Sequence, residues 1–181
     1  MNLKDQLHIY RSKHPSELVT VGACLKLLEA APECFRRDTF PGHFTASAWT
    51  IARESRSIIL VHHTKLGKWV QPGGHADGEQ DLLLAAKREL EEETGIEALP
   101  VQDDDIFDID IHTIPSIGGE GTHKHYDVRF LFAVHERQPL RASDESIDVV
   151  WVNLNELEQY TQEESILRMR RKSLHVITDN C

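Results

Sequence analysis

Between positions 16 and 30 the apolar residues Leu18, Val21, Leu25 and Leu28 recur at helical spacing, and residues 3–34 as a whole carry mostly helical signals. Two short helices are expected there. Around Phe40, Pro41 and Gly42 the pattern changes, and residues 44–52 and 57–62 read as strands separated by a polar turn. Lys65, Leu66 and Gly67 suit a hairpin turn leading into a short strand over 69–71, after which Pro72, Gly73 and Gly74 predict an irregular loop. Residues 81–94, rich in Leu, Ala, Glu, Lys and Arg, predict a long helix, with Gly95 placed to close it in a left-handed conformation. Strands are expected over 106–112, 125–134 and 149–152, and helices over 154–160 and 163–172. The order implies an α/β fold, a mixed sheet packed between helices. It divides into an N-terminal helical extension, residues 1–40, and a main domain, residues 41–181.

The segment from His123 to Phe132 alternates cleanly. Tyr126, Val128, Phe130 and Phe132 share one strand face, and His123, His125, Asp127 and Arg129 share the other. If that polar face points toward the helix over 81–94, the histidines and Arg129 could bind a substrate phosphate; if it points outward, they are ordinary surface groups. A zinc site built from His112, His123 and His125 is an alternative without a spacing signature behind it. Trp49, Trp69 and Trp151 fall in predicted strands and read as core, although Trp69 lies near enough to the glycine pair to border a binding site.

Composition narrows the function. The chain has 181 residues, 40% hydrophobic and 28% charged, which suits one compact domain. Its formal charge of -10 argues against a nucleic-acid polymer or an anionic membrane surface as partner. No apolar run approaches the roughly 20 residues that span a bilayer, and the N-terminus has no secretory pattern, so a cytoplasmic location is expected. Cys24, Cys34 and Cys181 are widely separated and read as reduced thiols. An acidic protein that handles phosphates needs local positive charge, and divalent cations are the obvious source.

The helix over 81–94 gathers such a cation's ligands. At about 100° per residue, Leu83, Ala86 and Leu90 share one stripe, and Glu89, Glu92 and Glu93 share another. Those carboxylates repel one another unless a hard cation neutralises them. Taken alone, a glutamate stripe is more often a solvated surface. The run Arg88-Glu89-Leu90-Glu91-Glu92-Glu93-Thr94-Gly95-Ile96, with Gly74 ahead of it, resembles the Nudix box, G-x5-E-x7-R-E-U-x-E-E-x-G-U with U aliphatic. One position departs from the pattern: Gln80 stands where the first glutamate is expected, with Glu79 one place earlier. Either Glu79 takes that role or Gln80 keeps only a hydrogen bond.

The resemblance implies an α/β/α sandwich with a mixed sheet and a metal-dependent hydrolase that cleaves a diphosphate bond in a nucleoside diphosphate derivative or related small molecule. By the same resemblance Glu89, Glu92 and Glu93 hold Mg2+, with Mn2+ as substitute, the Gly74 carbonyl completes the coordination, and Arg88 pairs with a neighbouring carboxylate. Glu145, before the strand that carries Trp151, is the candidate for an extra ligand or general base, with Asp144 as its rival. His75, His123, His125, Arg129 and Trp69 are the candidates for contact with substrate. The alternative function is a catalytically idle Nudix domain that senses a ligand or binds a protein. The N-terminal helices could form a homodimer contact or a pocket lid.

Overall fold

A computed structural model of the chain describes residues 1–101, 105–116 and 121–178. The elements are α1 (Leu3–Lys13), α2 (Leu18–Ala30), β1 (Gly42–Ala52), β2 (Ser57–His63), β3 (Lys68–Val70), β4 (Gly73–His75), α3 (Leu82–Thr94), β5 (Leu99–Pro100), β6 (Asp108–Ile114), β7 (His123–Val134), β8 (Ser146–Asn153) and α4 (Glu164–Thr178). This is an α/β fold with a mixed sheet and an N-terminal helical extension, as the pattern predicts. Two compact units divide the chain, and β1, β7 and α3 contribute residues to each.

The first unit holds residues 1–47, 73–86 and 102–130. Within it β4 pairs antiparallel with β1, placing His75 opposite Thr45, and β6 pairs antiparallel with β7 from Asp108↔Arg129 to Ile114↔His123. Strands β1 and β7 lie side by side and run the same way, because their contacts advance together: Gly42 meets Lys124, Phe44 packs on Tyr126, and Thr45 bonds to Asp127. That parallel pair makes the sheet mixed. One face of this region is aromatic, with Phe35 stacked on Phe44. Helix α1 is capped by Asn2, whose side chain accepts from the Asp5 N–H, and it buries Leu3, Leu7 and Tyr10. The stripe that α2 buries is Val21, Cys24 and Leu27, while Leu18 is exposed. This differs from the expected Leu18-Val21-Leu25-Leu28 stripe: small Cys24 faces inward, the buried face is turned, and Leu25 and Leu28 are only half-buried.

The second unit holds residues 48–72, 87–101 and 131–181. Its central strand is β2, paired antiparallel with β3, with β8 and with the end of β1. Ile58, Ile59, Leu60 and Val61 are all buried, as an uninterrupted apolar run requires when both faces of a strand are covered. Each such side chain contributes roughly 1.5–3 kcal/mol relative to exposure. Trp49 is wholly buried and its indole N–H donates to the Ser173 hydroxyl of α4 at 2.6 Å, so this aromatic is core, as expected. Gly67, at φ +60°, closes the β2–β3 hairpin.

Two local expectations are corrected. Gly73 and Gly74 lie in strand β4 and not in an irregular loop. A Cβ on Gly73 would fall 2.2 Å from Ser47 Oγ, so the missing side chain is what lets β4 approach β1. Residues 154–160 form only a short 3-10 turn, Leu157–Gln159, anchored by buried Leu157.

Candidate active site

Helix α3 begins where the Asp81 carboxylate accepts hydrogen bonds from the Leu83 and Leu84 N–H groups, satisfying donors that have no partner inside the helix. It ends at Gly95, φ +72°, whose N–H reaches the Glu91 carbonyl at 2.8 Å. The buried residues along it include Leu82, Ala86, Leu90 and Glu93. At about 100° per residue, Glu89 and Glu93 both fall within about 20° of Leu82, and Glu92 falls about 80° away. The acidic stripe is therefore the continuation of the apolar stripe and not a second, separate face. Exposure follows that geometry: Glu93 is 5% exposed, and the side chains of Glu89 and Glu92 are 15% and 63% exposed.

The electrostatics single out Glu89. Burial pushes its pKa up, the hydrogen bond and charge of Arg88 pull it down, and Glu92 and Glu145 push it up again. Arg88 donates to the Glu89 carboxylate at 2.7 Å and lies 3.9 Å from Glu92 one turn on. Glu145 lies just before β8, with its carbonyl accepting from the Thr64 N–H, and it acts on both Glu89 and His63. The four residues Arg88, Glu89, Glu92 and Glu145 are thus one electrostatic group within the second unit. Carboxylate oxygens are the donors a hard divalent cation takes, so the acids of this set fit Mg2+ or Mn2+. Trp69, also in this unit, stacks on His62 with ring centroids 4.9 Å apart and meets Tyr160 edge-on. Of the acids near the glycine turn, Glu79 is exposed and accepts from the Asp81 N–H at 2.9 Å, while Gln80 is exposed beside it.

The remaining candidates belong to the first unit. Gly74 sits in β4 opposite Ala46. His43, His75, His112, His123 and His125 lie on one sheet face, with His43 4.8 Å from His125, 5.0 Å from His123 and 5.2 Å from His75 between ring centroids. Burial, with His75, His43, His112 and His123 adding to it, drives the His125 pKa down to about 2, so this ring is neutral near pH 7. Further along the same face Arg129, 3% exposed, is held by Asp127 at 2.7 Å, Asp108 at 3.2 Å and Asp110 at 3.6 Å. Asp127 also accepts from the Thr45 and Ser47 hydroxyls. The polar face of β7 is thus inward-facing, and the Arg129 guanidinium is engaged by three carboxylates of its own chain.

Sequence reasoning did not single out His43, because a lone histidine at the start of an apolar strand has no partner within several residues along the chain. Its partners arrive through strand pairing, His123 and His125 on β7 and His75 on β4. The counterpart signal, alternate histidines at 123 and 125, was readable.

Comparison with known proteins places these features in a family. The NUDIX domain model matches residues 41–172. The Escherichia coli K12 protein named phosphatase NudJ is 34% identical over 125 residues, 66% of this chain and 74% of that one. Among solved structures, a C. elegans Ap4A hydrolase in a binary complex matches with a TM-score of 0.59 at 17% identity, covering 75% of this chain and 98% of that one. A MutT protein from Methanosarcina mazei Go1 matches with a TM-score of 0.58 at 21% identity, covering 73% and 93%. The two structures share the fold. With the family model spanning most of its length, the chain belongs to the Nudix family.

Proposed function

We propose that this protein is a metal-dependent hydrolase that cleaves a phosphoanhydride bond in a small molecule carrying a diphosphate, its catalytic domain being residues 41–181 behind a helical extension of residues 1–40. The observation that carries this reading is Glu89: a carboxylate withdrawn from water, hydrogen-bonded by Arg88 and electrostatically coupled to Glu92 and Glu145 on the box helix of a Nudix domain. The 34% identical relative is named a phosphatase, a hydrolase of phosphate compounds, and that name leaves the bond and the substrate open.

In this reading Glu89, Glu92 and Glu93 would hold Mg2+ or Mn2+. Bound there, the cation supplies charge neutralisation and a more acidic water. Arg88 donates a hydrogen bond that orients the Glu89 carboxylate, and its charge opposes part of the upward push that burial gives that carboxyl's pKa. Glu145, whose charge acts on Glu89, stands as the further acid, the candidate for an extra ligand or general base. Trp69 offers an aromatic surface to the non-phosphate part of a substrate. His75, His123 and His125 remain candidates for the phosphate side, and the neutral His125 would act there as a hydrogen-bond donor and not as a cation. Arg129 is better read as a support for β7 than as a phosphate ligand, since the carboxylates around it exceed its charge.

The test is a product-release assay over a panel of nucleotide and non-nucleotide diphosphates with Mg2+ or Mn2+, run beside Glu93→Gln. Turnover in the parent and at least a ~100-fold loss in the variant are expected. Equal rates in both reject the role of Glu93. Absence of turnover across the panel, with ligand binding retained, favours the sensor reading.

A further inference from the structure

The five histidines on the first unit's sheet face are more than a polar surface. His43 and His123 are buried, at 1% and 5% exposure, and His125 is half-buried between them. The potential ligand atoms of these three residues all lie within 4.8 Å of one another. Burial of so many imidazoles so close together needs a reason, because a polar ring taken out of water has to find partners for its nitrogens.

The hydrogen bonds show how the rings are oriented. His123 Nδ1 lies 2.8 Å from the Gly121 carbonyl oxygen, and His43 Nδ1 lies 3.3 Å from the Thr39 carbonyl oxygen. A carbonyl only accepts, so each Nδ1 carries the proton, and in the neutral ring the lone pair then sits on Nε2. Fixing a histidine through a backbone carbonyl at one nitrogen is how proteins prepare the other nitrogen to bind metal. The Nε2 atoms of His123 and His125 are 3.2 Å apart. Two nitrogens bound at ~2.0–2.1 Å in a tetrahedral sphere are separated by about 3.3–3.4 Å, so the pair is spaced as one edge of such a sphere.

We propose that His43, His123 and His125 form a binding site for one divalent transition-metal ion, of which Zn2+ is the best fit. Three imidazoles suit zinc and its neighbours and are poor donors for Mg2+, which takes oxygen. The site is therefore separate in chemistry from the glutamates of the box helix, and the inference does not rest on the hydrolase reading. Three protein ligands leave the fourth position for water or for another donor. His75, its ring 5.2 Å from His43 and 5.1 Å from His125, stands beside that position. The acid-rich cluster of Asp108, Asp110 and Asp127 further along the face offsets part of the added charge. His112, the third member expected from the sequence, is 42% exposed and bonds to Asp110; it gives way to His43.

The test uses tag-free full-length protein, stripped with chelator and titrated with Zn2+ in millimolar Mg2+, so that hard-ion sites are already filled. One equivalent of zinc is expected, and each of His43→Gln and His123→Gln should weaken binding at least ~100-fold, since loss even of an outer partner costs 10–100-fold. Glu93→Gln should retain the zinc. X-ray absorption on the zinc-loaded parent reads the donors without any variant and should give an imidazole signature with nitrogen at ~2.0–2.1 Å. No stoichiometric zinc, undiminished binding in the folded histidine variants, or a donor shell of carboxylate oxygens would each overturn the proposal, leaving a hydrogen-bonded histidine row and nothing more.

Discussion

Replacing Arg129 with methionine should destabilise the protein far more than it alters substrate affinity. The side chain is 3% exposed and reaches Asp127 at 2.7 Å, Asp108 at 3.2 Å and Asp110 at 3.6 Å. Burial on its own would lower its pKa, yet these three acids and the Asp127 hydrogen bond outweigh burial and raise it. Methionine keeps most of the volume and removes the charge, leaving Asp108 and Asp127, both buried, without their cation. Breaking a buried pair by removing one partner costs about 3–5 kcal/mol. Against a total stability of about 5–15 kcal/mol, that is a large share, and for a chain of this size it lowers Tm by roughly 6–20 °C. Urea unfolding followed by both fluorescence and circular dichroism measures the loss directly. A second substitution supplies a further check: adding Asp127→Asn should restore part of the loss. A loss below ~1 kcal/mol accompanied by a large rise in KM would refute this reasoning and return Arg129 to the substrate.

Arg88→Gln removes the interaction that holds the Glu89 pKa down against burial; the acid limb of the rate–pH profile should move to higher pH, and an unmoved limb would separate Glu89 from the reaction. Gly73→Ala places a Cβ 2.2 Å from Ser47 Oγ and 2.8 Å from the Ala46 carbonyl oxygen. Because one of these is backbone, a loss of about 1–3 kcal/mol is expected in thermal melts. Burial raises the Cys24 thiol to about 12, so iodoacetamide at pH 8 should leave Cys24 unlabelled in the native protein and label it once the chain is unfolded; peptide mass mapping reads the difference.

Helix α3 was legible to within a residue because three local signals agree on it: the Asp81 cap, the run of strong helix formers and the positive-φ Gly95. The alternation of β7 was equally plain, since strand periodicity is a property of consecutive residues. What failed depended on distant chain. Gly73 reads as a turn residue until Ser47 is seen against it, and 154–160 reads as a helix although only three of its residues coil. The separate acidic face of α3 failed for a different reason: the angles of Glu89 and Glu93 were readable from the sequence, but measured against Leu83 in place of Leu82 they pointed away from the interior. The box carboxylates were found by motif and spacing. The histidine cluster was half found, since His123 and His125 are two apart whereas His43 joins them only through strand pairing.

The strict alternation along β7 also protects its alignment. Sliding the strand by one place would send Tyr126, Val128 and Phe130 into the territory of imidazoles and carboxylates, and at the same stroke would press His125, Asp127 and Arg129 against aromatic neighbours such as Phe44. No single contact has to detect the mistake. Every rung reports it together, so a misthreaded β7 has no partly satisfied resting place, and a one-residue insertion between positions 123 and 130 should be far harder to accommodate than any substitution there.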